Sequence, residues 1–132
     1  MLRYPRILLL CSDQLETDRI EELLSKHAFV SRACDLSELS ALLETTCFDA
    51  VFCAWTFHCG TWKNALLDAL RFQPDLPVLV FSSTGGEREW IEVLDSGAFD
   101  FLVPPYTKES VLALLEQAMA SHDARILQRA VR

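Results

Sequence analysis

Five short, largely apolar runs alternate with amphipathic stretches along this chain, and that alternation restricts the fold more than any other feature. The runs are Arg6–Cys11 (RILLLC), Phe29–Ala33 (FVSRA), Phe48–Ala54 (FDAVFCA), Val78–Ser82 (VLVFS) and Phe99–Val103 (FDFLV). Continuous apolar runs of this length read as strands covered on both faces, the pattern of a parallel sheet. Between them, apolar residues recur at helical spacing. Leu15, Ile20, Leu23 and Leu24 mark a helix within 13–27, and Leu39, Leu42 and Leu43 mark one over 38–44 that Ser37 is placed to cap. A third helix is expected over 62–72, ended by the prolines of QPDLP. A fourth carries Trp90, Ile91, Val93 and Leu94 and closes at Gly97, and a fifth begins after Thr107. Parallel strands need crossover connections, so the expectation is α/β: a three-layer, doubly wound (βα)5 parallel sheet with helices on both faces.

The totals agree with one packed domain. The chain has 132 residues, 51% of them hydrophobic and 23% charged, with only 4 Gly and 5 Pro. Its net charge of −7 argues against nucleic-acid binding, which needs a basic surface. Five cysteines with no CxxC pair fit reduced thiols in a cytosolic protein better than a disulfide framework. The N-terminal stretch MLRYPRILLLCSD is too short in apolar residues for a signal segment or a membrane span, so no membrane association is expected and the localisation is read as cytoplasmic.

In an open parallel sheet, sites lie outside the carboxyl ends of the strands. Here those ends carry Cys11, Ser12 and Asp13, then Ala54 to Thr56, then Ser82 to Thr84, then Val103 to Tyr106. At this point the wording resembles the receiver domain of bacterial response regulators, the CheY-like, flavodoxin-like fold. RILLLCSD stands at the first strand and acid cluster, FDAVFCAW at the phosphoacceptor strand, and LPVLVFSS at the strand that ends in Ser or Thr. LDSGAFDFLVPPY stands at the segment before the last helix and is the most specific match. The resemblance covers about residues 6–119 and implies strand order 2-1-3-4-5. Receivers take a phosphoryl group onto an aspartate, with acids holding Mg2+ and a Lys and a hydroxyl stabilising the phosphoryl oxygens.

Carried over residue by residue, that machinery is missing. The nucleophile position falls on Ala54, the paired acids on Cys11 and Ser12, and the Lys on Pro104; Asp13 remains at the flanking position and Ser82 as the hydroxyl. The resemblance therefore implies a degenerate pseudo-receiver with no catalytic residue, no cofactor and no Mg2+ site. The Pro104–Pro105 bond matches the place where receivers hold a cis peptide. Trp90, Phe101 and Tyr106 are candidate contributors to an interaction face made by the fourth helix, fifth strand and fifth helix, and all three are equally compatible with the core.

Cys11, Cys53 and Cys59 raise the alternative of a thiol or metal site. Successive strand residues face opposite ways, however, and buried cytosolic cysteines ordinarily act as small hydrophobes. STGGERE reads as an ordinary strand–helix turn, and the acidic CSDQLETD loop is unsuited to FMN. Helical spacing continues past the domain through Ile126 and Ala130, with Arg125, Arg129 and Arg132. The division expected is a receiver-like domain over 1–121 and, over 122–132, a helical extension toward a possible output domain. The functional expectation is a phosphorylation-independent regulatory module of two-component-type signalling. Its partners would be proteins: a second copy of itself (a homodimer), an output domain or another signalling protein. The alternatives are a phosphoacceptor using a non-standard residue, and a thiol or small-ligand sensor.

Overall fold

The structure, a computed structural model, describes residues 4–131. Residues 1–3 of the N-terminal stretch read above, and Arg132 of the basic tail, lie outside the described residues. The five apolar runs form one parallel sheet from β1 (Arg6–Leu10), β2 (Phe29–Ala33), β3 (Ala50–Ala54), β6 (Val78–Phe81) and β7 (Asp100–Leu102). Its order is β2-β1-β3-β6-β7, which is 2-1-3-4-5 when the sheet strands alone are counted. Helices α1 (Gln14–Leu24), α2 (Leu36–Thr45), α3 (Trp62–Phe72) and α4 (Glu87–Asp95) make the four crossovers, and α5 (Lys108–Val131) follows the last strand. The expected three-layer α/β architecture is the one found.

Strand alternation sorts the core into two layers. Leu8, Leu10, Val51, Cys53, Val78 and Val80 pack against α2, α3 and α4 through Leu39, Leu43, Trp62, Leu66 and Val93. Ile7, Leu9, Ala50, Phe52, Leu79 and Phe81 face α1 and α5 through Ile20, Leu24, Val111 and Leu115. Each such fully buried aliphatic or aromatic side chain contributes about 1.5–3 kcal/mol.

Local chemistry sets the element ends, with two departures from expectation. Helix α2 is capped by Asp35 and not by Ser37. The Asp35 carboxylate accepts from the Glu38 amide at 2.9 Å, while Glu38 Oε1 accepts from the Cys34 amide at 2.9 Å. The reciprocal Asp-x-x-Glu arrangement satisfies two free N–H groups where the Ser37 register would satisfy fewer. The segment after β3, expected as plain loop, folds into a hairpin of β4 (Thr56–Phe57) and β5 (Gly60–Thr61), with Cys59 at φ 63° in its turn. Gly97 closes α4 at φ 97°, a left-handed value that favours glycine, and the Pro104–Pro105 bond is cis. Helix α5 runs unbroken through residue 121, and His122 is buried against the domain.

Candidate functional site

The carboxyl ends of β1, β3 and β6 surround a cavity of about 230 Å³. Ala54, the last residue of β3, presents its methyl there and is 5% exposed. The ladder continues one residue beyond the strands: the Trp55 amide donates to the Phe81 carbonyl at 2.9 Å and the Ser82 amide to the Leu102 carbonyl at 3.1 Å. The backbone at the site is therefore held by the sheet itself.

Four of the six expected pocket residues line this cavity: Cys11, Asp13, Ala54 and Ser82. Ser12 is exposed in the β1–α1 loop and is not among its lining residues. Pro104 lines a neighbouring cavity of about 370 Å³ instead, with Leu15, Arg19 and Tyr106. Each polar survivor is occupied by local structure. Asp13 is the N-cap of α1: its Oδ1 accepts from the Glu16 amide at 3.1 Å and its carbonyl accepts from the Thr17 hydroxyl at 2.7 Å. The Ser82 hydroxyl donates to the Thr84 carbonyl and accepts from the Thr84 amide at 3.2 Å, which folds the start of the β6–α4 turn around it.

Trp55, Thr56, Ser83 and Thr84, all within the expected strand ends, also line the cavity, and so do Glu16 and Phe81, which that expectation missed. Glu16 lies one helical turn from Asp13, so the Asp-x-x-Glu spacing was the signal available for it. Burial and the neighbouring Asp13 charge raise its pKa, with Arg19 opposing. Asp13 and Glu16 are the only carboxylates among the lining residues, and no Lys or Arg is there. A phosphoryl group entering would meet negative charge and a methyl.

Mg2+ fits no better. It takes several oxygen ligands at near-octahedral geometry. Here one acid is engaged as a helix cap and the strand ends offer a thiol and a methyl. Among the described residues no group of three or more His, Cys, Asp or Glu is arranged to hold a metal ion.

The cysteines do not gather. Cys11 faces the cavity, while Cys53 points into the opposite layer with its Sγ against the Ala54 carbonyl at 3.2 Å. Cys34, Cys47 and Cys59 are exposed. Burial raises the Cys11 pKa, and contacts with Thr17 and the Asp13 backbone offset this only in part; burial pushes Cys53 far above the ordinary thiol range. Thiolate is the reactive form. Titration of the native protein with a disulfide-exchange reagent is therefore expected to release three fast equivalents, with the remaining two appearing only in denaturant. A fourth fast thiol would mean that the cavity opens to solvent and Cys11 ionises there.

The three aromatics expected on one face are divided between two. Phe101 belongs to the layer of α2, α3 and α4, in a chain of rings: Trp62 to Trp55 at 5.4 Å and Trp55 to Phe101 at 5.6 Å. Trp90, 45% exposed, donates from Nε1 to Asp100 Oδ1 at 3.3 Å. The two rings line a groove of about 410 Å³ between α4 and β7 with Val103 and Gly85. A Cβ on Gly85 would lie 2.7 Å from Phe101 Cζ, so the ring requires glycine there. Tyr106 lies on the other side, its ring edge-on to Phe81 at 6.2 Å and its hydroxyl buried with no hydrogen-bond partner among the described residues. Burial, then the charges of Glu16 and Cys11, push its pKa well above the usual phenol value.

The chain matches no protein-family model and no curated protein. Solved structures do resemble it. A signal receiver domain of an HD domain-containing protein from Pseudomonas fluorescens Pf-5 superposes with TM-score 0.81 at 21% identity, over 92% of this chain and 99% of that one. An adenylate cyclase from Rhodopirellula baltica gives 0.85 at 18% identity, over 98% and 97%. The beryllofluoride-activated NtrC4 receiver domain, a dimer in solution, gives 0.80 at 19% identity, over 89% and 98%. These likenesses, with the strand order 2-1-3-4-5, establish that the chain has the flavodoxin-like fold of CheY-type receiver domains.

Proposed function

We propose that this chain is a receiver-fold regulatory module of two-component-type signalling that works without phosphoryl transfer, as a cytoplasmic, non-enzymatic protein that acts by contact with other proteins. One observation carries the reading: the β3 terminus ends in the Ala54 methyl, inside a cavity whose only charged lining groups are Asp13 and Glu16. In-line attack on phosphorus needs a nucleophile and positive charge to stabilise the equatorial oxygens, and neither is among the lining residues. At 18% identity the likeness to an adenylate cyclase concerns the backbone and brings no catalytic residue here. Among the described residues no helix is long and apolar enough to cross a membrane.

The surface best suited to a protein partner is the α4–β7 groove. Trp90 and Val103 line it and are exposed, Ile91 and Leu94 are exposed elsewhere on α4, and an exposed aromatic beside aliphatic groups is the composition of an interface core. The NtrC4 receiver, a relative in fold, dimerises, and self-association through this groove is the matching expectation here. Tyr106 packs away from the groove and is assigned to the cavity wall instead.

The test is a backbone NMR titration with Mg2+ and beryllofluoride, a mimic of the phosphoryl group. The amides of Asp13, Ala54 and Ser82 are expected not to move. Saturable shifts there would overturn the reading and mean that another carboxylate accepts the group.

A further inference from the structure

The apolar anchoring of α5 ends at its third turn. Val111, Leu115 and Ala118 are buried in the α1 and α5 layer, and beyond His122 every described side chain through residue 130 is exposed, Leu127 at 65%. Residues 122–131 nevertheless continue the helix for about 15 Å, at 1.5 Å per residue. Two polar contacts hold this stretch to the amino ends of the strands, the side of the sheet opposite the cavity. His122 Nδ1 lies 3.4 Å from Asp49 Oδ1, and both side chains are buried. Arg129 Nε lies 3.1 Å from Asp75 Oδ2, in the turn that leads to β6.

Asp49 joins three elements. It precedes β3, its Oδ2 accepts from the Arg6 amide of β1 at 2.8 Å, and its Oδ1 faces the imidazole of α5. His122 Nδ1 is at ion-pair distance from Asp49 Oδ1 without the alignment of a hydrogen bond, so the contact is an ion pair only while the imidazole carries a proton. Apolar packing holds the first half of α5 cooperatively with the sheet. Among the described residues, the contacts seen on the second half are the buried His122–Asp49 contact and the exposed Arg129–Asp75 ion pair, and exposed ion pairs are weak. Segments with few buried apolar contacts open independently of the global transition.

We infer that residues 122–131 are an arm docked on the floor of the sheet by the His122–Asp49 and Arg129–Asp75 clasps, and released without unfolding the domain. The arm is then the element that reports the state of the sheet floor to whatever protein the module contacts. The inference rests on the proposed signalling role only for that last step; the clasps themselves do not depend on it.

Hydrogen exchange of the full chain, with His122→Gln and Arg129→Gln variants, tests it. Arg129→Gln is expected to speed exchange in 125–131 by about two- to fivefold. His122→Gln, at a buried contact, is expected to speed 122–131 by about tenfold. In both variants the amides of β3 and β6 keep their rates. Equal acceleration in strands and arm would show that the arm is part of the global unit, and no change in either variant would show that the clasps do not hold it; each overturns the inference. The Mg2+ and beryllofluoride titration reads the other end of the sheet, so failure of the proposed function and failure of the arm are separable.

Discussion

Trp62→Ala is expected to cost about 3–5 kcal/mol of stability, the range for removing a fully buried large aromatic. Trp62 is 1% exposed, opens α3, and packs at a tilt against Trp55 at 5.4 Å, which packs at a tilt against Phe101 at 5.6 Å. A domain of this size holds only about 5–15 kcal/mol in all. The loss would therefore lower the midpoint in urea substantially and, at the low end of that range, unfold the chain outright. Equilibrium urea denaturation followed by far-ultraviolet circular dichroism measures it. A loss under about 1 kcal/mol would mean that the core closes over the gap and that the ring chain does not support the site. The same substitution is expected to loosen Trp55 and Phe101, and so the cavity wall and the α4–β7 groove together.

The second large effect concerns the cavity. Ala54→Asp restores a carboxylate at the end of β3 without restoring any positive charge beside it. The new group would be nearly buried and would join Asp13 and Glu16, so its folded pKa would rise above the usual aspartate value. The sign follows from linkage: an acid whose folded pKa is raised leaves stability unchanged while it is protonated in both states. Destabilisation begins as pH rises past the unfolded pKa of about 3.9 and is complete above the folded pKa. At neutral pH the expected loss is about 3 kcal/mol. Melting curves at acidic and neutral pH, compared with the parent chain, give the measurement. The variant is also expected to gain no mass when incubated with a small phosphoryl donor. Equal stability at both pH values, or incorporation of phosphate, would mean that the cavity supplies a counter-charge from elsewhere.

Much of the fold was legible in the chain because its signals are local. Apolar runs such as RILLLC and VLVFS, separated by helical spacing, specify a buried parallel sheet whatever surrounds them. Gly97 after α4 and the prolines after α3 mark helix ends by backbone geometry alone. The residue types at the strand ends were equally legible, with a methyl at Ala54 and a proline at 104. The Asp35 cap was present in the sequence as Asp-x-x-Glu, but Ser37 competed for the same role two residues later, and only the hydrogen bonds separate them.

What the sequence by itself determined, then, is the layer architecture, because it depends on residue type and short-range period. Tertiary structure alone decided the rest. It put Phe101 and Tyr106 in opposite layers, brought Glu16 to the cavity wall, folded the segment after β3 into a hairpin, and seated His122 on Asp49, 73 positions away in the chain. These pairings depend on how loops close and where helices cross the sheet. Those are through-space outcomes of packing all five helices on the sheet at once, and no local period encodes them.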